Sequence, residues 1–362
     1  MAAQFSPRGQ GRLRAMDTLT HALSGALLAR ATAPGGATGA QTLKRVGAGF
    51  LACAAPDLDF VVGFLGPVRY LELHRGVSHS LLLLPAWAWL LSWLLAALLR
   101  DRRGWRAYFG VTAMGLAAHI AGDVITSFGT MVFAPLSDWR AALGTTFIID
   151  LWFTGIIVAG LVASVALRRS PVPAGCAAAL LVAYVGAQAV LKQQALDVAR
   201  AHAAALGLRD ATVRADPRPV SPFNWTLYVS DAQAHHVAHV NLRRDEPRTA
   251  GPDAGFISRL DAAYQPVPGA ASQTHPRYGG TDVAPVARQA WESPALAFFR
   301  WFAAVPAFDG ATAGSACVWF IDLRFLTPGR GSMPFRFGAC REGDGPWRAH
   351  ERTSDNTWRR VE

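Results

Sequence analysis

The sequence predicts an α-helical polytopic membrane domain of five to six spans, followed by a smaller soluble domain of mixed α/β or mostly β structure. Three observations carry that prediction. Of 362 residues, 51% are hydrophobic and 12 are tryptophan, and the mean hydropathy is +0.20, too apolar for an ordinary soluble enzyme. The apolar residues come in long runs only up to about residue 192; beyond it Pro, Arg, Asp and Gly recur every few residues. The few ionisable residues inside the runs fall toward one side of the implied bundle. The chain therefore divides into a flexible N-terminal segment 1–16, a membrane-embedded helical domain 17–195 and a soluble extracytoplasmic domain 196–362.

A membrane helix needs roughly 20 mostly apolar residues. Residues 17–33 ("DTLTHALSGALLARATA") make a short first span that carries a histidine, and 45–65, 80–99, 107–128, 146–167 and 173–192 make five longer ones. The Gly/Ala/Thr-rich stretch 31–42 reads as a flexible connection. Cytoplasmic loops hold an excess of Lys and Arg. Arg100, Arg102, Arg103 and Arg106 fill one tight loop, Arg168 and Arg169 another, and Lys44 and Arg45 open a span. With those loops in the cytoplasm, 66–79, 129–145 and everything after residue 192 face outward. Arg8, Arg12 and Arg14 conflict with an external amino terminus, and Met16 is a second candidate start. No cleavable signal peptide is evident, since residues 1–16 are polar and the next apolar run leads into further spans. The formal charge of +10 comes from arginines that are scattered or lie at helix ends, without a basic, aromatic-interleaved stripe, so no nucleic acid partner is expected.

Ionisable groups in membrane segments mark a site by default. His21 begins the first helix, Asp57 and Asp59 lie in "CAAPDLDF", His74 and His79 in "HRGVSHS", His119 and Asp123 in "HIAGD", and Asp150 in "TTFIIDLWF". The arginine-derived topology puts all eight on the outer side of the membrane. His119 and Asp123, four apart, share one helix face, as inward metal ligands in bundles do. Asp57 and Asp59 follow Pro56, where a loosened helix end lets both carboxylates reach one ion. Imidazole plus carboxylate without cysteine favours zinc, with manganese or iron possible and one to three ions bound; ligands in excess of one ion's needs serve to orient the others. Simpler readings stand beside these: His21 also suits an interfacial hydrogen bond, and Asp150 a helix N-cap. Asp59 or Glu72 is a candidate general base. Arg75, between the two histidines, suits either an anionic group of a substrate or a lipid phosphate.

"MDTLTHALSGALLA", "APDLD", "HRGVSHS" and "HIAGD", in this order, resemble the YdjM-like family of membrane-bound proteins classed as metal-dependent hydrolases, over most of the first 170 residues. "SPFNWTLYVS", "FFRWFAAVPAF" and "VWFIDLRF" resemble the soluble tail carried by a subset of that family. The resemblance implies a metal site built from His21, Asp57, Asp59, His74, His79, His119 and Asp123, and points to the bacterial inner membrane. Ser78 stands where the family usually has threonine, a change that keeps the hydroxyl. The family is distantly similar to zinc-dependent phospholipase C and the single-strand nuclease fold.

After residue 196, "WTLYVS", "HHVAHVNL", "CVWFIDLRF" and "PFRFGAC" read as strands and "ALAFFRWFAAV" as an amphipathic helix. His235, His236 and His239 tempt a second metal site, but in a strand His235 and His239 share one face while His236 takes the other, and a solvated face is the better reading. Cys317 and Cys340 fall opposite one another if "LTPGRG" turns tightly back, and could then pair in an oxidising exterior; Cys53 and Cys176 read as inert packing residues. The function expected is hydrolysis of a phospholipid or other phosphodiester or ester amphiphile by metal-activated water, with the bilayer as partner. A metal-ion or proton transporter and a non-catalytic, metal-stapled assembly protein are the alternatives.

Overall fold

The computed structural model describes residues 8–167, 170–251, 253–312, 316–329, 333–354 and 357–361. Arg168, Arg169 and residues 1–7 of the segment expected to be flexible lie outside the described residues. From Arg8 onward that segment is already helical. An N-terminal helical part precedes a C-terminal β-sheet part, and the chain forms two compact units: residues 1–61 with 75–189, and residues 62–74 with 190–362.

In the first unit, α1 spans Arg8–Ala31 and α2 spans Gly39–Ala54. Thr38 caps α2, its hydroxyl accepting from the Gln41 amide while the Gln41 side chain accepts from the Thr38 amide. Pro56 lacks an amide hydrogen and its ring would crowd the carbonyl four residues back, so the α-helix gives way to a 3-10 helix over Ala55–Leu65. Runs of that length are uncommon outside functional or strained segments, and this one carries Asp57 and Asp59. The helix α3 (Pro67–Leu73) belongs to the second unit. The first unit resumes at Arg75 with a short 3-10 turn Val77–His79, then α4 (Leu84–Leu98), α5 (Arg106–Val124), α6 (Leu151–Ala166) and the first half of α7 (Val172–Ala205). By length and composition, two of the described helical stretches can cross a membrane, Gly39–Leu65 and Val172–Ala205, or three if the broken pair Pro67–His79 and Leu84–Leu98 counts as one. Five to six spans exceed that number, because α6 has only 16 residues and α5 carries Arg106 and Asp123 among its 19.

Small residues set the packing of this unit. A Cβ on Gly25 would lie 2.1 Å from the Gly49 carbonyl oxygen, one on Gly49 2.5 Å from that of Gly25, and one on Gly115 3.2 Å from the Cys53 amide nitrogen. Glycine at these points lets α1, α2 and α5 approach backbone to backbone, as small residues do between membrane helices. One apolar cluster joins Ala29, Ala48, Leu95, Ala96, Tyr108 and Val111; another joins Leu27, Ile157, Ala174 and Ala177.

In the second unit, α7 continues as a stripe of Leu191, Ala195, Ala199 and Ala203 that packs on Trp225, Leu227, Val229, Ala238 and Val240 of a sheet. That sheet runs β1 (Thr212–Pro217), β2 (Asn224–Ser230), β3 (Ala234–Asn241) and, after α8 (Phe256–Ala262), β4 (Gln265–Pro266), with β5 (Ser272–Pro276) also on β3. The helices α9 (Ala284–Glu292) and α10 (Ala297–Phe302) lead to an antiparallel meander of β6 (Pro306–Ala311), β7 (Cys317–Asp322), β8 (Phe337–Cys340), β9 (Arg348–Ser354) and β10 (Thr357–Arg360). Cys317 and Cys340 are register partners joined by a disulfide, although a connection longer than a tight hairpin separates their strands. The solvated histidine face requires correction. His235 is buried between Ser230 Oγ and the Pro306 carbonyl, and His239 bonds to Thr226, because that face of the sheet is covered by further chain.

Candidate metal centre

Helix α5 presents His119 and Asp123 one turn apart, both fully buried. Around them the first unit gathers His21 from α1, Asp57 and Asp59 from the 3-10 segment, and Arg75, Ser78 and His79 from "HRGVSHS". Two sets of three ligand atoms, from His21, His119 and Asp123 and from Asp57, His79 and His119, each lie within 4.8 Å of one another. His119 belongs to both.

The hydrogen bonds behind the imidazoles decide which way their lone pairs face. His119 Nδ1 lies 2.6 Å from the Cys53 carbonyl oxygen, which can only accept, so the proton sits on Nδ1 and Nε2 keeps its lone pair. Ser78 donates its one hydroxyl proton to Asp59 Oδ2 at 2.8 Å, so at 2.9 Å from His79 Nδ1 its oxygen accepts. His79 therefore also carries its proton on Nδ1. The two Nε2 atoms face each other at 2.9 Å, and Asp123 Oδ2 lies 3.0 Å from one and 3.5 Å from the other. With a single proton on each ring, two Nε2 lone pairs and a carboxylate oxygen converge.

Charge points the same way. The carboxylates Asp57, Asp59 and Asp123 outnumber the Arg75 guanidinium by two, in surroundings where uncompensated charge is costly. Asp57 Oδ1 lies 3.6 Å from His119 Nε2, and its buried Oδ2 has no hydrogen bond among the described residues. A divalent cation fits this donor set on all three counts: facing lone pairs, an unbonded carboxylate oxygen and the charge balance.

Arg75 is 2% exposed, with φ +59, a conformation unusual for a side chain of its size. Its amide donates to Asp59 Oδ2 at 2.9 Å, and its carbonyl accepts from the Met131 amide. Its guanidinium lies 2.8 Å from Asp123 Oδ1, donates to Thr126 Oγ1 and covers the Phe128 ring. His21 Nε2 lies 3.2 Å from the same Asp123 oxygen, and its ring fits because residue 122 is glycine: a Cβ there would lie 2.8 Å from the imidazole.

Three predicted site residues are outside both ligand sets. Asp150 caps α6, one oxygen accepting from the Trp152 and Phe153 amides and the other from the Tyr184 hydroxyl. His74 and Glu72 lie in the second unit, His74 stacked on Tyr70 at 4.6 Å and Glu72 in an ion pair with Arg69 at 3.0 Å. Neither of the two ligand sets draws on these three. Sequence reading missed the Cys53 carbonyl and Thr126. No side-chain chemistry announces a backbone acceptor, whereas Thr126 stands one turn beyond Asp123 and was legible by spacing. Residues 16–195 match the sequence profile of the family described as YdjM inner membrane protein. No curated protein and no solved structure matches the chain.

Proposed function

We propose, from the premise that residues 16–195 belong to the YdjM inner membrane protein family, that this protein is a membrane-embedded, metal-dependent hydrolase acting on a phospholipid or another phosphodiester or ester amphiphile. The single observation that carries the reading is the pair of imidazole Nε2 atoms turned toward each other at 2.9 Å beside Asp123. Asp123, His119, His79, His21 and Asp57 are the groups that would hold metal, with zinc first among candidates because the donors are nitrogen and carboxylate. When bound, the ion would supply Lewis acidity toward water and a substrate oxygen.

The chain's own groups divide the remaining work. Asp59 accepts from Arg75 N and Ser78 Oγ, and through Ser78 its role is to orient His79 rather than to remove a proton. Asp57 offers Oδ1 toward His119, and its Oδ2, outside any hydrogen bond among the described residues, is the better placed general base when Oδ1 holds the ion. Arg75 is committed to Asp123 and aims that carboxylate. We read α1, α5 and α6 as crossing beside the longer helices. They share apolar clusters with α2 and α7, and α6 turns Val158, Val162 and Val165 outward, which suits lipid. The arginine-rich loop after α4 then lies in the cytoplasm and the β-sheet unit outside it.

The test is metal analysis of the purified chain together with assays on phospholipid vesicles and a soluble phosphodiester. About one or more zinc-like ions per chain are expected, with hydrolysis of at least one substrate. In His119→Ala with Asp123→Ala, most of the metal and all of the hydrolysis should vanish while the protein still inserts. Metal content unchanged in that double variant would refute the assignment.

A further inference from the structure

Between α5 and α6 the chain forms no helix, and residues 130–141 close into a loop. The amides of Thr130 and Ala141 each donate to the other's carbonyl at 2.9 Å. Compact loops pinched at the neck are frequently functional. Here the loop turns apolar side chains away from the protein: Phe133 is 44% exposed, Leu136 83% and Trp139 57%, with Phe133 and Trp139 stacked at 5.9 Å. Such groups gain nothing by facing water.

The loop is also fastened to the metal cluster. The Met131 amide donates to the Arg75 carbonyl, the Leu81 amide donates to the Val132 carbonyl, and Ser80 Oγ lies 2.5 Å from the Ala134 carbonyl. Its base therefore grips both ends of the "RGVSHSL" segment that carries His79. Leu81 and Leu82, beside that seam, are exposed as well, and continue into the outward Trp89, Leu90, Trp93 and Leu94 of α4.

We propose that the loop 130–141 is a membrane anchor, dipping Phe133, Leu136 and Trp139 into the boundary between headgroups and acyl chains and so seating the His79 segment at the lipid surface. Two physical constraints select that depth. Irregular backbone exposed to lipid cannot lie within the hydrocarbon core, because its amides and carbonyls would lose their partners. Its apolar side chains, continuous with the outward face of α4, do not belong in bulk water. The boundary satisfies both, and Trp beside Arg140 and Asp138 is the composition of that zone. For the identity of the reacting molecule the proposal rests on the hydrolase reading, and its consequence there is that an amphiphile reaches the cluster from the bilayer side. For the location of the loop it rests on geometry alone.

The experiment places a nitroxide at Leu136→Cys in the full chain, with Cys176→Ser to remove the exposed native thiol, reconstituted in phosphatidylethanolamine–phosphatidylglycerol vesicles. A second label at Gly35→Cys, in the polar loop between α1 and α2, gives the value for water. Position 136 is 83% exposed, so the substitution disturbs no packing. The expected result is a relaxation enhancement by oxygen several-fold above that by a water-soluble nickel chelate at position 136, with the reverse at 35. A label at 136 as accessible to nickel as the one at 35 overturns the proposal. Since no turnover is read, failure of the anchor and failure of the hydrolase reading are distinguishable.

Discussion

Ser78 shows how much chemistry one hydroxyl can fix. By donating to Asp59 and accepting from His79 it sets the tautomer of an imidazole whose other nitrogen faces the cluster. Partners that orient a metal-binding histidine are typically worth 10- to 100-fold in metal affinity. Ser78→Ala should weaken affinity by about that factor in a chelator competition, whereas Ser78→Thr, which keeps the hydroxyl, should stay near the parent value. Asp150 makes the opposite case. Its pattern, an acid at the head of an apolar helix, suits a ligand and a cap equally well when only neighbouring residues are known. Its bonds to the Trp152 and Phe153 amides are those of a cap. Asp150→Ala should therefore cost about 1 kcal/mol of stability, read as a lowered unfolding temperature, with metal stoichiometry unchanged.

Among the elements, the helices follow from hydropathy, and the close approach of three of them follows from glycine. A side chain at residue 25 would collide with the backbone of α2, so α1 would have to move away, carrying His21 from Asp123. Gly25→Val is expected to insert into membranes but to retain less metal than the parent, checked by metal analysis of protein purified at matched yield. The 3-10 helix over Ala55–Leu65 was only half legible. Pro56 marks a loosened helix end in the sequence, but nothing local specifies that the looser winding continues for three further turns. The strands after residue 196 were legible from alternation and turn residues, yet the burial of their faces was not. Alternation separates two faces without saying that both are covered, and so His235 read as solvated.

At the scale of the whole molecule, the division into two units cuts across the sequence order, since 62–74 joins the C-terminal unit. His74 and His79, five residues apart, therefore belong to different units. The buried histidines also predict an acid response. Burial lowers His235 to about 4, and burial followed by the nearby Arg218 lowers His239 to about 3. Both ordinarily titrate near 6.5, so between about 6.5 and 4 the unfolded chain binds more protons than the folded one. Stability conferred by the neutral rings is thus complete above pH 6.5 and declines as pH falls through that window, by about 1.4 kcal/mol for each unit of pKa difference. Unfolding of the β-sheet unit followed by its tryptophan fluorescence should shift to lower denaturant across that range. In His235→Asn with His239→Gln the pH dependence should flatten. An unchanged slope would mean that other groups govern it.

The sequence by itself determined the partition into an apolar helical part and a strand-rich part, and the residue types of the cluster. Both are written locally: hydropathy sums over a window, and an ionised group inside an apolar run is conspicuous wherever it later lies. Only the tertiary structure decided which candidates meet, which imidazole nitrogens face inward and which acids merely cap or pair at a surface. Those outcomes depend on contacts between residues far apart in sequence, such as His119 with the Cys53 carbonyl and His21 with Asp123, and such contacts are set by how closely three helix backbones can approach.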